Sequence, residues 1–448
     1  MKKILIIGAG LSATVLIDYL LERSEEYNWQ ITVADISLDL ANEKLAGRPH
    51  GRAISFDIFD PELRASEISA ADIVISMLPG ALHPLVAKEC LAYGRHMLSP
   101  SYVTSKLKEM DSAVRSAGLV FLNELGVDPG IDHMSAMRVI DNIKVRGGRL
   151  LSFKSFCGGL VAPACDDNPW NYKFSWNPRN VVLAGQGVAT FREQGQYRYV
   201  PYHQLFSTLS EAEVPGYGKF EVYPNRDSLQ YCQLYGLDDL PTIVRGTMRR
   251  PGYSAAWDVF VQLGCTDDSF IIEDSDQISY RQFIERFVPY QQGKTTRESL
   301  AGFIGVPADS EIFDKIEWLG FFSDNVIGLE NATPAQVMQQ VLVEKWSMTA
   351  SDRDLLVMQH QFVFELDGEK RGIVSSMTYE GVDHVWTAMA YTVGLPLGIA
   401  AKLLATEKIC PLGVKLPVTA DIYNPILDEL AQHGINFTEE EFLFSNGS

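Results

Sequence analysis

The sequence predicts an α/β protein: a doubly wound parallel sheet first, then a mixed α+β region carrying an all-α insertion. Three observations lead there. The apolar run Ile4–Ile7 passes directly into Gly8-Ala9-Gly10-Leu11-Ser12-Ala13, a G-x-G-x-x-A turn between a buried strand and a helix. Strand-like and helix-like segments then alternate to about residue 128, the pattern of parallel strands joined by crossover helices. Between about 254 and 350 the pattern turns helical, and strand signals return at Asp354–Leu366 and Lys370–Thr378.

Each element has its own reason. Gly8 permits the tight turn, Gly10 lets backbone approach a pyrophosphate, and Ala13 keeps the following helix close to the strand. That helix buries Leu16, Ile17, Leu20 and Leu21 and turns its positive end toward phosphates. A second strand, Ile31–Ile36, places Asp35 about 20 residues past the fingerprint, where an acid bonds a ribose. A third, Ala53–Phe59, sets Asp57 and Ile58 to flank an adenine. Asp72–Pro79 is a fourth strand, His83–Tyr93 a helix capped by Gly94, and His96–Ser101 a fifth strand. Ser105–Ala117 reads as one helix ended by Gly118, and Leu119–Leu122 as a sixth strand. The ends of strands four to six carry Leu78, Ser101-Tyr102 and Gly126-Val127-Asp128-Pro129. They meet at the carboxyl edge of the sheet, where open α/β sheets bind ligands.

The segment Asn123–Met134 holds two glycines, several acids and His133 between a buried strand and an amphipathic helix. It is either a plain turn with an N-cap at Asp132, or the place where Asp128 reaches cofactor and substrate together. Beyond Gly148, Arg149–Cys157 reads as a strand, followed by Gly158–Pro163 and a long polar-aromatic segment, Asp166–Asn180, that reads as an irregular loop. Val188–Val200 alternates like a hairpin, and Asp367-Gly368 is a hairpin turn between the last two strands. Five helices fill the insertion: Ala255–Leu263, Tyr280–Val288, Thr296–Gly302, Glu311–Leu319 and Thr333–Glu344. Trp386–Leu404 reads as an apolar helix broken at Gly394-Leu395-Pro396, and Ile422–His433 as a last amphipathic helix.

The bulk numbers narrow the function. A chain of 448 residues exceeds one core, and 46% hydrophobic with 21% charged residues describes a soluble globular protein. The net charge of −19, with no Lys/Arg run, argues against nucleic acid and against an anionic membrane surface. No apolar stretch is expected to reach the roughly 18 residues that span a bilayer. The start, Met1-Lys2-Lys3, mimics a signal peptide, yet the apolar run ends at Ile7, so it reads as structure and the protein as cytoplasmic. The six cysteines form no C-x-x-C pair and no metal spacing, and the eight histidines are scattered. His133 and His360 read as capping or packed residues, and no metal is expected.

Hydride transfer asks little of a protein beyond positioning and one titrating group, for which Tyr102, Asp128 and Cys157 are the candidates. In so acidic a chain Arg226, Arg245 and Arg249 are either structural ion-pair partners or forks for substrate carboxylates.

Over nearly its whole length the sequence resembles saccharopine dehydrogenase of the glutamate-forming type, also called saccharopine reductase. The matching motifs are GAGLSA (8–13), Pro100-Ser101-Tyr102, NELGVDPGIDH (123–133) and SFCGGLVAPACDDNPWNYKFSW (155–176). YPNRDS (223–228), RGTMRRPG (245–252), WLGFFSD (318–324) and TAMAYTVGLPLGIA (387–400) follow in the same order. The resemblance implies interconversion of saccharopine with L-glutamate and 2-aminoadipate 6-semialdehyde, through an imine reduced by NADH or NADPH. Cofactor contacts are implied at Leu11, Ser12, Ala13, Thr14, Asp57, Ile58, Leu78, Ser101, Tyr102, Val127, Asp128, Pro129 and Ser175, beside the fingerprint Gly8 and Gly10. Substrate contacts are implied at Ser101, Tyr102, Asp128, Arg226, Thr247, Met248 and Arg249, with Tyr102, Asp128 and Cys157 near the imine.

The resemblance also implies a Rossmann domain (1–130, with a C-terminal return at about 385–448) and a catalytic and dimerisation domain (131–253 and 351–384). An all-α domain (254–350) is inserted in the latter, and a homodimer is expected. NADP-using fungal members carry a basic residue after the second strand, where this chain has Asp35-Ile36-Ser37, so NAD is the expected cofactor; Lys44 and Arg48 are the residues that could still reach a 2′-phosphate. Pro100 and Val161 depart mildly from the family pattern in the substrate loop and leave room for another amino-acid partner. The alternatives are a carboxynorspermidine-type or other N-carboxyalkyl-amine dehydrogenase, whose polyamine would want acids rather than Arg226 and Arg249, and a non-catalytic nucleotide-binding protein.

Overall fold

A computed structural model describes residues 1–444, and the chain divides into two compact units. The first comprises Met1–Leu150, Glu365–Glu369 and Met377–Glu439. The second comprises Leu151–Phe364, Lys370–Ser376 and the stretch from Glu440. Of the expected C-terminal return, the last four positions (445–448) lie outside the described residues.

Six strands open the first unit: β1 (Lys2–Ile7), β2 (Trp29–Asp35), β3 (Gly51–Ser55), β4 (Ile73–Ser76), β5 (His96–Leu98) and β6 (Val120–Leu122). They pair in parallel in the order β6-β5-β4-β1-β2-β3, and Gly413–Lys415 adds a seventh parallel strand beyond β6. The order reverses direction between β1 and β4, the point at which a doubly wound sheet opens a crevice for a ligand. Ile4, Leu5, Ile6 and Ile7 are all buried, as a strand covered on both faces requires.

Several expectations for this unit need correction. The helix expected over 105–117 is two, Ser105–Glu109 and Asp111–Ser116, separated at Met110. The helix expected to break at Gly394–Pro396 runs unbroken from Ala388 to Ala405 with Pro396 inside it. Gly394 is there for contact rather than for bending: a Cβ on it would lie 2.7 Å from the backbone nitrogen of Leu16. Gly398, one turn on, meets the Tyr19 ring, so this helix presses directly on the one that follows the fingerprint. The same helix, 18 residues long, is long and apolar enough to cross a membrane, contrary to expectation, and 78% of it is buried inside the protein.

In the second unit β7 (Arg149–Val161) begins the larger sheet. It continues past Cys157, where the strand was expected to end, to Val161, and Gly158 lets it approach its neighbour: a Cβ there would sit 2.7 Å from the Met248 carbonyl oxygen. The hairpin β8 (Val188–Glu193) and β9 (Gln196–Pro201) follows, then β10 (Ser210–Val214), β11 (Gly218–Pro224) and β12 (Thr242–Arg249). Long strands β13 (Asp354–Leu366) and β14 (Glu369–Glu380) turn through Asp367 and Gly368, both at positive φ. With β15 as the strand Gly413–Lys415 already placed, β16 (Thr438–Leu443) ends the order β10-β11-β12-β7-β13-β14-β16, and β8 joins β12.

Between β12 and β13 lie the helices Tyr253–Leu263, Tyr280–Glu285, Thr296–Ile304, Glu311–Leu319 and Pro334–Trp346. Ser279/Gln282, Thr295/Glu298 and Thr333/Gln336 close reciprocal capping boxes at three of their N-termini. Their apolar faces share one core with the sheet, built around Trp170, Tyr172, Trp257, Phe260 and Trp346.

Candidate active site

The fingerprint turn is braced from β2. Gly8, at φ +105, donates its N–H to the Ala34 carbonyl (2.8 Å). Asp35 accepts from Ala9 N–H at 2.7 Å with one carboxylate oxygen and from Ser37 N–H at 2.9 Å with the other. The expected ribose-binding acid is therefore also the clamp that holds the glycine loop, a duty no spacing rule reveals. A Cβ at Gly10 would meet nothing within 4 Å, so the space over the turn Leu11–Ala13 is open, as a pyrophosphate needs. Exposed Leu11, Ile36 and Phe59 lie on the fingerprint turn and just past the ends of β2 and β3, a set of apolar groups suited to a base and ribose.

Ile58, expected to flank the adenine, is buried in the core, and exposed Phe59 is the apolar group its segment presents. Exposed Asp57 accepts from Phe59 N–H at 2.9 Å, and Leu78 is half-buried. Ser12 is half-buried beside buried Ala13. Thr14 is buried and committed to the fold: its hydroxyl donates to Leu11 O (2.9 Å) and accepts from the Lys44 ammonium (2.8 Å). Burial lowers the pKa of Lys44, and Arg48 pairs with Asp18 at 2.6 Å, so both cations that could have reached a 2′-phosphate are engaged elsewhere.

At the ends of β5 and β6, Ser101 and Tyr102 are half-buried, and the Tyr102 hydroxyl donates to an Asp128 oxygen at 2.9 Å. Two of the proposed proton handlers thus form one hydrogen-bonded pair. Val127 and Pro129 are buried on either side of Asp128. The N-cap expected at Asp132 is instead Gly130, and the Asp132 carboxylate reaches back to the Gly130 N–H at 2.6 Å from inside the helix Ile131–Val145. His133 is packed, as expected, against Glu124 (2.7 Å), and His360 lies among the rings of Phe153 and Phe362.

In the second unit the register of the sheet gathers the rest. Thr247 pairs with Cys157 on β7 and with Tyr223 on β11, while Arg249 pairs with Glu221 and Arg245 with Ser155. Residues paired across strands project on one face, so Arg245, Thr247, Arg249, Cys157 and Tyr223 share it. Met248, expected among the substrate contacts, projects to the other face and is buried in the core.

Arg249 is 5% exposed, and no carboxylate among the described residues lies within ion-pair distance of it. Glu221 is occupied at the start of the helix Tyr253–Leu263, accepting from Gly252 and Ser254 N–H. The guanidinium instead sits among the rings of Tyr172, Tyr253 and Tyr223 at 5.0, 5.3 and 5.9 Å, donates to Met248 O (2.9 Å) and to the Tyr253 hydroxyl, and leaves its Nε without a partner. Burial pushes the Tyr253 hydroxyl well above its ordinary pKa, so the tyrosines contribute ring faces rather than negative charge. Arg245 is likewise buried, over the Tyr231 ring at 4.4 Å. Arg226 is exposed at φ +51. Ser175 is buried in the aromatic segment, which Lys173 pins through Asp167 and Asp352 at 2.9 Å each.

Comparison with known proteins gives the family. Residues 4–122 match the saccharopine dehydrogenase NADP binding domain, and residues 126–435 the saccharopine dehydrogenase C-terminal domain. The chain belongs to the saccharopine dehydrogenase family. Among its relatives is the saccharopine dehydrogenase [NADP(+), L-glutamate-forming] of Schizosaccharomyces pombe, 32% identical over 98% of this chain and 99% of that protein. The mitochondrial alpha-aminoadipic semialdehyde synthase of Bos taurus is 34% identical over 98% of this chain, which spans 48% of that longer protein. The apo structure of the L-Glu-forming saccharopine dehydrogenase from Saccharomyces cerevisiae superposes with a TM-score of 0.88 at 31% identity, covering 99% of this chain and 100% of the other. The family's two domain models divide the chain at 122–126, so the Asn123–His133 motif falls at their junction.

Proposed function

We propose that this protein is an oxidoreductase acting on a CH–NH bond, interconverting saccharopine with L-glutamate and 2-aminoadipate 6-semialdehyde. Arg249 carries the reading. A buried guanidinium without a counter-ion is costly unless an anion from outside completes it, and saccharopine brings three carboxylates. Exposed Arg226 offers a second fork. A bound nicotinamide cofactor supplies the hydride acceptor, seated on the Gly8–Thr14 turn with Asp35 toward the ribose. In the oxidative direction the amine's carbon on the 2-aminoadipate side, which becomes the 6-semialdehyde, gives up its hydride and the amine its proton, which leaves an imine. Water adds to that carbon, and the C–N bond breaks to release L-glutamate. Asp128 Oδ1, hydrogen-bonded to the Tyr102 hydroxyl, is placed to take and return the proton. Cys157, beside Thr247 in register, is the third polar group assigned to the imine.

We also assign a preference for NAD over NADP, a departure from the relatives named for NADP(+). The Asp35 carboxylate repels a 2′-phosphate, and Lys44 and Arg48 are bound to Thr14 and Asp18. A cytoplasmic homodimer completes the proposal, checked by light scattering and by cell fractionation. The deciding experiment measures NADH and NADPH formation with saccharopine and a panel of N-carboxyalkyl amino acids and polyamines. Turnover of saccharopine, faster with NAD, is expected. Inactivity on saccharopine refutes the substrate, and a clear NADPH preference refutes the cofactor assignment alone.

A further inference from the structure

The segments that carry Tyr102 and Asp128 are tied together by a side chain outside the chemistry described above. Glu124 is 4% exposed and sits at φ +56, a backbone state that a non-glycine residue keeps only where its surroundings enforce it. Backbone bonds first join the two segments: Ser99 N–H to Leu122 O (3.1 Å), Leu125 N–H to Ser99 O (3.1 Å) and Glu124 N–H to Ser101 O (3.3 Å). The Glu124 carboxylate then adds one rung more, its Oε1 accepting the Val103 N–H at 2.9 Å. Tyr102 is thereby gripped on both sides by one residue, through the carbonyl before it and the amide after it.

The other carboxylate oxygen, Oε2, lies 2.7 Å from His133 Nε2. A carboxylate has no hydrogen to give, so this ring nitrogen carries it. Fully buried His133 belongs to the first turn of the helix that begins just after Asp128, beside the Asp132 that holds Gly130 N–H. The turn between has no slack, because a Cβ on Gly130 (φ +148) would fall 2.1 Å from the Gly126 carbonyl oxygen.

We propose that Glu124, braced by His133, is a positioning residue for the reaction. It fixes the Tyr102 loop against the Asp128 loop and so keeps the hydroxyl and carboxylate in hydrogen-bond contact. The inference rests on the reading that this pair handles the proton. Charge-assisted bonds are short and strong enough to hold such loops in place, and a misplacement of about 1 Å in a reacting group costs about 100-fold in rate.

The test uses full-length Glu124→Ala, Glu124→Gln and His133→Asn. Turnover is counted per NADH-binding site by fluorescence titration, and the Tyr102–Asp128 separation is read from crystal structures. Glu124→Ala is expected to lower kcat about 10–100-fold at little-changed KM and NADH Kd, with the hydroxyl–carboxylate bond lost. Glu124→Gln should regain most of the rate, because its amide oxygen still accepts Val103 N–H. A kcat per site within a factor of two of wild type, with the bond intact, overturns the proposal. Should Glu124→Ala fail to fold, His133→Asn, too short to reach Oε2, is judged by the same two criteria. Should wild type not act on saccharopine, the substrate reading falls, and the crystal structures alone decide the positioning: an unchanged bond refutes it.

Discussion

Around the fingerprint and the Tyr102–Asp128 pair, the acids of the first unit meet donors from the chain itself. Asp35 takes Ala9 and Ser37 N–H, Glu124 takes Val103 and His133, Asp132 takes Gly130, and Asp128 takes the tyrosine hydroxyl. In the second unit Arg249 is buried, yet it has tyrosine rings, a tyrosine hydroxyl and one carbonyl for company and no carboxylate. Satisfied acids hold a geometry in readiness whether or not a ligand is present. An uncompensated cation does the reverse, storing a deficit that an incoming anion removes. Under the proposed function, one region serves to react and the other to recognise.

The sharpest way to break this contrast is Asp128→Asn. It keeps shape and a hydrogen bond to Tyr102 but removes the base, and should lower kcat by about 10²–10⁴-fold with substrate KM nearly unchanged; a drop under threefold in single-turnover hydride transfer would assign the proton elsewhere. Next, Arg249→Met should lower kcat/KM for saccharopine by roughly 10²-fold, the scale of a truncated buried ionic contact, while raising Tm, because a thioether suits the aromatic pocket better than an unpaired charge. A lower Tm would mean the guanidinium already has its compensation within the fold.

A third test asks whether the first unit really excludes unpaired charge. Buried His83 lies with Nδ1 2.8 Å from the Ser76 hydroxyl, and burial lowers its pKa from 6.5 to about 4. The native state therefore keeps it neutral while the unfolded chain takes up a proton below pH 6.5. Stability is full above 6.5 and is lost as pH falls toward 4, by at most about 3 kcal/mol. Urea melts of His83→Gln should show a flatter dependence across that window. The smallest effect belongs to exposed Arg226→Ala, expected to raise the saccharopine KM about tenfold and leave NADH affinity unchanged, since an exposed fork is screened by water.

Much of the first unit was legible because its signals are local. The apolar run, the glycine turn, Asp35 and the alternation to residue 128 each depend on neighbours a few residues apart, and the parallel order follows from them. Where reading failed, a distant partner had decided. Gly158 was placed past the end of a strand and is the point where β7 meets Met248; Gly394 looked like a helix breaker and is the point where one helix touches another. The strand Gly413–Lys415 is too short to leave any periodicity. In the site, Tyr102, Asp128 and the arginines were visible as residue types. The tyrosines around Arg249 come from Tyr172, Tyr223 and Tyr253, far apart in the chain, and only the folded sheet brings them together. Met248 was carried in on its motif, and strand alternation turns it away.

The seating of Gly394 and Gly398 on the first helix has a consequence for how the molecule is made. The dinucleotide half of the protein opens with the segment β1 to β2, but its supporting helix, Ala388–Ala405, and its outermost strand, β15, are joined to the chain only after the whole of β7 to β14. During synthesis the β1 to β2 segment must wait, its apolar back uncovered, until the helix Ala388–Ala405 has been made. Chains cut short before Ala388 should accordingly emerge with a sticky, protease-sensitive amino-terminal half, and adding back the missing carboxyl-terminal stretch should cure it.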